Sequence, residues 1–249
     1  REGSRENARE TGIIEEILLE NQARNPQHSF SVCDTILWEK CAFQENLHLY
    51  LNTRFLRAEA EEGRVRSIWA HQLTTEKDFR FSASLFIDAT GDGMLAYLAG
   101  CPMRLGRPAD TLCQPMTLCF RIGNIDIPTF QEHRSEMQKL YKRFREEGKI
   151  QNPREDVLIF NTLVDGVLHF NTTRIIKKNP VDPDDLSFAE MEAREQMIEM
   201  FHFLKDNIPG FEKAQLLFSA EIGVRESRMV DGQYILSGED LQACKRFED

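Results

Sequence analysis

The sequence predicts an α/β fold, an α+β mixture in its balance, and three observations carry that expectation. An apolar run, Leu85-Phe86-Ile87, feeds the turn Asp88-Ala89-Thr90-Gly91-Asp92-Gly93, after which helical spacing continues through Met94, Leu95, Tyr97 and Leu98 to Gly100. Period-two runs broken by turn residues fill 47–82 and again 157–173. Two long patterns, 129–147 and 187–207, repeat their apolar residues at helical spacing.

Composition sets the outer limits. A chain of 249 residues suffices for one large domain or two small ones with a substantial core. With 41% hydrophobic and 29% charged residues it reads as soluble and globular rather than disordered. A net charge of −10 argues against nucleic acid, which demands clustered Lys and Arg. No apolar run approaches the roughly 18 residues of a spanning helix, so no membrane partner is expected. The six cysteines show no C-x-x-C and read as reduced, mostly buried thiols. That use leans towards a reducing compartment and a cytoplasmic location; the lack of a signal-peptide pattern after Arg1 says little, and an exported protein stays open because the true N-terminus can lie upstream. The six histidines form no H-x-x-x-H pair, so no metal site is expected.

Taken in order, residues 1–26 are highly charged and carry one amphipathic helix. Thr11 suits the N-cap, Glu15 and Glu16 the first turn, and Ile13, Ile14, Ile17 and Leu18 the apolar stripe. A second helix from Asp34 is expected to bury Leu37, Trp38, Cys41 and Ala42. Leu47, Leu49 and Leu51 alternate with polar residues and predict a half-buried strand. Strands 54–60 and 65–72 flank the turn Glu61-Glu62-Gly63-Arg64, and 79–82 leads into a buried strand at 85–88.

Beyond Gly100, residues 101–115 read as loop, with Pro102, Gly106, Pro108 and Pro115. A strand at 116–122 follows. Helix 129–147 spaces Phe130, Met137, Leu140, Tyr141 and Phe144 for one buried side. Strands 157–161 and 167–173 form a hairpin around Asp165-Gly166. Asp182, Asp184 and Asp185 hint at calcium, yet the Gly and closing Glu of an EF-hand loop are missing, so a solvated turn is the better reading. Ser187 and Glu190 form a capping box for a helix burying Met191, Ile198, Phe201 and Leu204, which Pro209-Gly210 ends. Strand 214–223 then returns the chain.

Three stretches hold candidate chemistry. A strand entering a Gly-rich turn that opens a helix can offer backbone N–H groups to a ligand, although Asp-Gly is equally an ordinary turn dipeptide. In VLHFNTTR, period two puts His169, Asn171 and Thr173 on one face, opposite Leu168, Phe170 and Thr172. His169 can move a proton near neutral pH and Asn171 can fix a hydroxyl or carbonyl; a solvent-facing polar side is the competing reading. Arg174 breaks the face pattern. In GVRESR, Arg225 and Arg228 can grip an anion, or else pair internally with Glu226.

The segment IDATGDGMLAYLAG, preceded by RFSAS, resembles the second flavin-contacting segment of FAD-dependent oxidoreductases of the glutathione-reductase-like type. LHLYLNTRFLRAEAEEGRVRSIWA looks like the strand and hairpin that precede it there, and VLHFNTTRI, NIPGFEKAQL and IGVRESRMVDGQYILSGEDL are similar to stretches of one bacterial family of this kind. The resemblance runs over nearly all 249 residues. It implies that Thr90, Gly91, Asp92 and Gly93 line the flavin, that the backbone near Phe55 lies beside the adenine, and that Arg225, Arg228, His169 and Asn171 are the active-site candidates. The opening G-x-G-x-x-G unit of those proteins is absent, so the chain reads as an excerpt of a longer flavoprotein.

The resulting expectation is a partial FAD-binding domain with an antiparallel hairpin crossover at 1–115, an inserted strand-and-helix substrate domain at 116–215, and a return segment at 216–249. The function implied is transfer of a hydride or electron pair between a small molecule and FAD. The alternatives are a binding or interaction module that keeps the fold, and a carbohydrate-processing role, since such relatives sometimes carry lyase labels. Alone, the chain is expected to lack FAD, to be inactive, and to self-associate through an exposed apolar face.

Overall fold

The computed structural model describes residues 11–247; residues 1–10 of the predicted first segment lie outside them. The chain divides into two compact units, residues 1–54 with 71–78, and residues 55–70 with 79–249.

In the first unit, helix α1 (Gly12–Arg24) and helix α2 (Phe30–Ala42) form a pair. Asn25 is buried between them in sequence, and its side chain bonds Asn21 Oδ1, Ser29 O and Ser29 N, fixing the bend. Ion pairs of Arg24 with Glu20 and Glu39, and of Lys40 with Glu16 and Glu20, join the helices across their surface. Thr11 is the N-cap residue of α1, although its side chain makes no capping bond. Helix α2 begins four residues before Asp34 and buries only Ile36, whereas Leu37, Trp38 and Cys41 are exposed. Residues 47–52 form no strand: an alternating pattern needs a partner ladder, and none meets this run among the described residues.

Strands β1 (Thr53–Glu61), β2 (Arg64–Gln72) and β3 (Lys77–Ser82) make one sheet in the order β1-β2-β3. Glu62 and Gly63 both take positive φ, 51° and 72°, as a two-residue hairpin turn of the twist-matched kind requires. The Glu59 carboxylate ties the sheet together, accepting from Ser67 Oγ, from Arg80 Nη2 at 2.8 Å and from Trp69 Nε1 at 2.7 Å. Those bonds hold its pKa down at about 2.

The core of the second unit is a four-stranded antiparallel sheet covered by two long helices. Strands β5 (Thr117–Gly123), β6 (Ile159–Asn161), β7 (Leu168–Phe170) and β8 (Gln215–Gly223) take the order β6-β7-β5-β8. Strand β8, read from sequence as the start of the return, is therefore the edge of this sheet. Alternate residues Leu118, Phe120 and Ile122 of β5, with Leu168 and Phe170 of β7, are buried. Helices α4 (Ile127–Glu146) and α5 (Pro183–Asn207) bury Phe130, Met137, Tyr141, Ala189, Ala193 and Met200 in the same core. Phe120 and Phe170 stack at 5.1 Å, and burial of each contributes roughly 1.5–3 kcal/mol.

Helix α5 starts at Pro183, not after Ser187. Asp182 is its N-cap, accepting from the amides of Asp184 and Asp185, so the acidic loop is a helix start rather than a cation loop. Its buried face runs Ala189, Ala193, Met197, Met200, Leu204, which leaves Met191 and Ile198 exposed. The small alanines form the contact face, a choice that hydrophobicity alone does not disclose.

The segment 85–88 has no regular secondary structure and joins no ladder among the described residues, and Leu85 and Ile87 are 74% and 81% exposed. The expected interior strand is absent there, because a strand needs a neighbour on at least one edge. Short helix α3 (Met94–Leu98) does begin two residues after Asp92. The predicted loop 101–115 contains strand β4 (Met103–Leu105), which pairs with β9 (Arg228–Val230). Helix α6 (Gly238–Gln242) lies near the end of the described residues.

Candidate functional site

The turn before α3 is built by one carboxylate. Asp88 Oδ1 accepts from the Thr90 amide at 3.0 Å and the Thr90 hydroxyl at 2.7 Å, while Oδ2 accepts from the Ala96 amide at 2.9 Å. Thr90 Oγ1 in turn accepts from the Met94 amide at 2.8 Å. Burial alone would push the Asp88 carboxyl up, yet these hydrogen bonds together hold it below the ordinary aspartate value. The leading amides of α3 are consequently used inside the chain. The sequence expectation that this helix start faces a ligand is corrected: Asp88 and Thr90 cap it instead.

What remains open is the turn itself. The amides of Gly91, Asp92 and Gly93 meet no acceptor among the described residues. A Cβ on Gly91 would touch nothing within 4 Å, so the backbone is bare on that side. Gly93 differs: its φ is +58°, and a Cβ there would lie 3.0 Å from Met103 Cε. The turn backbone is therefore open on the Gly91 side, while the first amides of α3 are already occupied.

The segment from Arg225 to Arg228 connects this turn to the sheet. Arg225 Nη2 reaches Asn171 Oδ1 at 3.5 Å, the outer limit of a hydrogen bond. Glu226 Oε2 accepts from the Gln114 amide at 2.8 Å, and buried Ser227 donates to Asp92 Oδ1 at 2.5 Å. The Arg228 guanidinium lies over the Tyr97 ring at 4.4 Å, with Nη1 3.9 Å from Met94 Sδ. Neither arginine pairs with Glu226, so the internal ion pair weighed from sequence does not form. Arg228 packs on α3, and Arg225 faces the sheet.

On the sheet, Arg225 and Asn171 line a concavity of about 310 Å³ with Thr117, Thr173, Arg154 and Arg174. Thr117 Oγ1 donates to Thr173 O at 2.8 Å and lies 3.0 Å from Asn171 Oδ1. His169 does not line it. It sits opposite Arg121 of β5 and Phe160 of β6, half-buried, with its ring 6.1 Å from that of Phe160. Desolvation, and then the Arg121 charge, hold its pKa below the ordinary histidine value. Phe55 stays on β1, half-buried, and no hydrogen bond, ion pair or ring contact joins it to the turn or the concavity.

The structure thus gathers Asn171 with Arg225, and Asp92 with the segment carrying both arginines. Sequence reasoning missed Asp88 and Ser227. Asp88 was legible, since an Asp two residues before a Thr at a turn is a self-bonding pattern. Arg154 and Arg174 lie outside the regular strands and carried no periodic mark. Among the described residues no His, Cys, Asp and Glu cluster could hold a metal, and no helix is long and apolar enough to cross a membrane.

A family model described as FAD dependent oxidoreductase matches residues 2–249. No curated protein matches the chain.

Proposed function

The chain belongs to the FAD-dependent oxidoreductase family, and from that premise we propose that its 88–93 turn holds the flavin while the Asn171–Arg225 concavity receives a small-molecule substrate. The bond from Ser227 to Asp92 carries this reading, because it ties the turn to the segment whose Arg225 lines the concavity. When bound, the flavin supplies the electron chemistry, exchanging a hydride or electron pair with the substrate.

The protein's own part is positioning and charge. Asp88 and Thr90 shape the turn, the bare face of Gly91 lets the cofactor approach, and the amides of Gly91, Asp92 and Gly93 donate to it. Asn171 orients a hydroxyl or carbonyl of the substrate through its amide. Arg225 offers a fixed positive charge. His169 lies outside the concavity, beside Arg121 and Phe160, and takes no part in this reading.

The ADP half of FAD calls for a pyrophosphate seat, and α3 offers none, since its first amides are occupied. We propose that residues beyond these 249 complete the FAD site, and that the exposed run around Leu85 and Ile87 promotes self-association in their absence. Losing about 4 kcal/mol of binding weakens affinity roughly a thousandfold. A titration of the purified chain with FAD, read by flavin fluorescence and calorimetry, should show only weak binding. Micromolar or tighter binding would make the site complete as it stands and overturn this part of the reading. For the flavin assignment itself, the absorbance spectrum of a full-length protein containing this chain is the test. A bound-flavin band supports it, and a flavin-free, inactive protein removes it.

A further inference from the structure

The concavity on the sheet has an unusual charge balance. Three guanidinium groups, Arg154, Arg174 and Arg225, line it, and no carboxylate does. Two of the three are compensated from outside the rim. Arg154 Nε meets Asp156 Oδ1 at 3.1 Å, and Arg174 Nη1 meets Glu155 Oε2 at 2.6 Å. Arg225 has no carboxylate partner among the described residues, only the long contact to Asn171 Oδ1. Arg225 is itself exposed, so one positive charge without a carboxylate partner stands at the open side of a polar recess.

The remaining lining chemistry is suited to an oxyanion. Asn171 Oδ1 is engaged by Thr117 and Arg225, while its Nδ2 donor has no acceptor among the described residues. Thr117 and Thr173 bond each other and the Thr173 carbonyl, so they form a settled floor rather than competing acceptors. The Arg225 charge also reaches the half-buried Cys119 on the same face of β5, favouring its thiolate against the larger opposing effect of burial. The one guanidinium left without a carboxylate is a natural counter-charge for a single bound anion.

We infer that this concavity binds the carboxylate of a small organic acid, with Arg225 as its principal counter-charge and the Asn171 amide as a second donor. The inference rests on the substrate-side reading above and specifies the ligand's chemistry. A single unpaired cation matches one carboxylate better than a doubly charged phosphate. The volume, about 310 Å³, is at the small end of ligand sites and suits a compact acid.

The test uses the whole chain and lactate as probe, with its uncharged methyl ester and inorganic phosphate as comparisons at matched ionic strength. Calorimetry and thermal unfolding should register lactate with Kd on the order of 1 mM or tighter, and methyl lactate should give no shift. Arg225→Gln should weaken lactate binding by about tenfold or more, the scale of one charge-assisted hydrogen bond. Because Arg225 makes no ion pair, that variant should unfold at the parent temperature without ligand. Asn171→Asp, which puts a second negative group beside the anion, should abolish binding independently. Equal response to the ester, unchanged affinity in Arg225→Gln, tighter binding of phosphate than lactate, or no response to lactate would each overturn the inference. FAD titration run in parallel separates it from the flavin reading. Flavin binding without lactate binding sinks the inference alone, and lactate binding in a full-length protein that takes no flavin sinks the flavin reading alone.

Discussion

Ser227 donates its hydroxyl proton to Asp92 Oδ1 at 2.5 Å, joining residues 135 positions apart in the chain. The bond fixes the exposed end of the turn to the strand–loop segment that places Arg225 on the sheet and Arg228 on α3. With the β4–β9 ladder, this side-chain contact sets the spacing between the 88–93 turn and the concavity on the sheet.

Replacing Ser227 by Ala should release that spacing while sparing the core. Asp92 is exposed, so water replaces much of the lost bond and the cost should be about 1 kcal/mol or less. The effect should be local: amide hydrogen exchange across 91–93 should accelerate, and global unfolding should barely move. Unchanged exchange at those amides would show that the turn is held by its own geometry, without Ser227.

The two glycines of the turn should separate cofactor approach from backbone strain. Gly91→Ala adds a methyl group into open space, so stability should stay within about 0.5 kcal/mol while flavin affinity falls. Gly93→Ala places a Cβ at φ +58°, which costs about 1–2 kcal/mol, and crowds the flexible end of Met103. Thermal unfolding and FAD titration on both variants decide the matter. A Gly91→Ala protein that binds FAD as well as the parent would move the cofactor away from this turn.

Asp88 makes the turn sensitive to acid. Its folded pKa lies below the ordinary aspartate value, so the unfolded chain binds the proton more readily. The stabilisation is then fully present above the unfolded pKa and is lost as pH falls through the lowered folded value. Protonation turns one carboxylate oxygen into a hydroxyl and weakens acceptance from Thr90 and Ala96, and exchange of the Ala96 amide should rise in that acid range. Asp88→Asn should show fast exchange at neutral pH with little further change in acid, because its amide nitrogen cannot accept from Ala96. A parent protein whose Ala96 exchange has no acid step beyond the intrinsic rate would rule this out.

Much of this architecture was legible locally, and the failures share a cause. Helix α4 shows its face through Phe130, Met137 and Tyr141, and the β6–β7 hairpin shows its turn through Asp165-Gly166, because those patterns are completed within a short span. The family model bears out the resemblance carried by the turn and the GVRESR segment. The alternation of Leu47, Leu49 and Leu51, and the apolar run at Leu85, look the same as paired strands in sequence. A strand's partner, however, is a distant piece of chain that periodicity does not report. The recess was half legible for the same reason. Asn171 and Arg225 were nominated separately, but their meeting across 54 residues, and the arrival of Arg154 and Arg174, depend on the sheet order. Helix α5 was misaligned because alanines mark its packing face while Met191 and Ile198 point outward.

The exposed run at 85–87 gives the last prediction. Leu85 and Ile87 are 74% and 81% exposed, and their backbone groups join no ladder among the described residues. An exposed apolar segment outside any ladder invites contact with another copy, and lysine on it discourages that contact. The double variant Leu85→Lys, Ile87→Lys removes no buried side chain, so its unfolding temperature should match the parent. In sedimentation velocity the parent should shift to larger species as concentration rises, while the variant should hold a monomer's coefficient. A parent that stays monomeric throughout, or a variant that associates equally, would assign the run no role in self-association. If the variant is monomeric but the parent's association also disappears on adding FAD, the same residues lie against the cofactor-binding part of the protein.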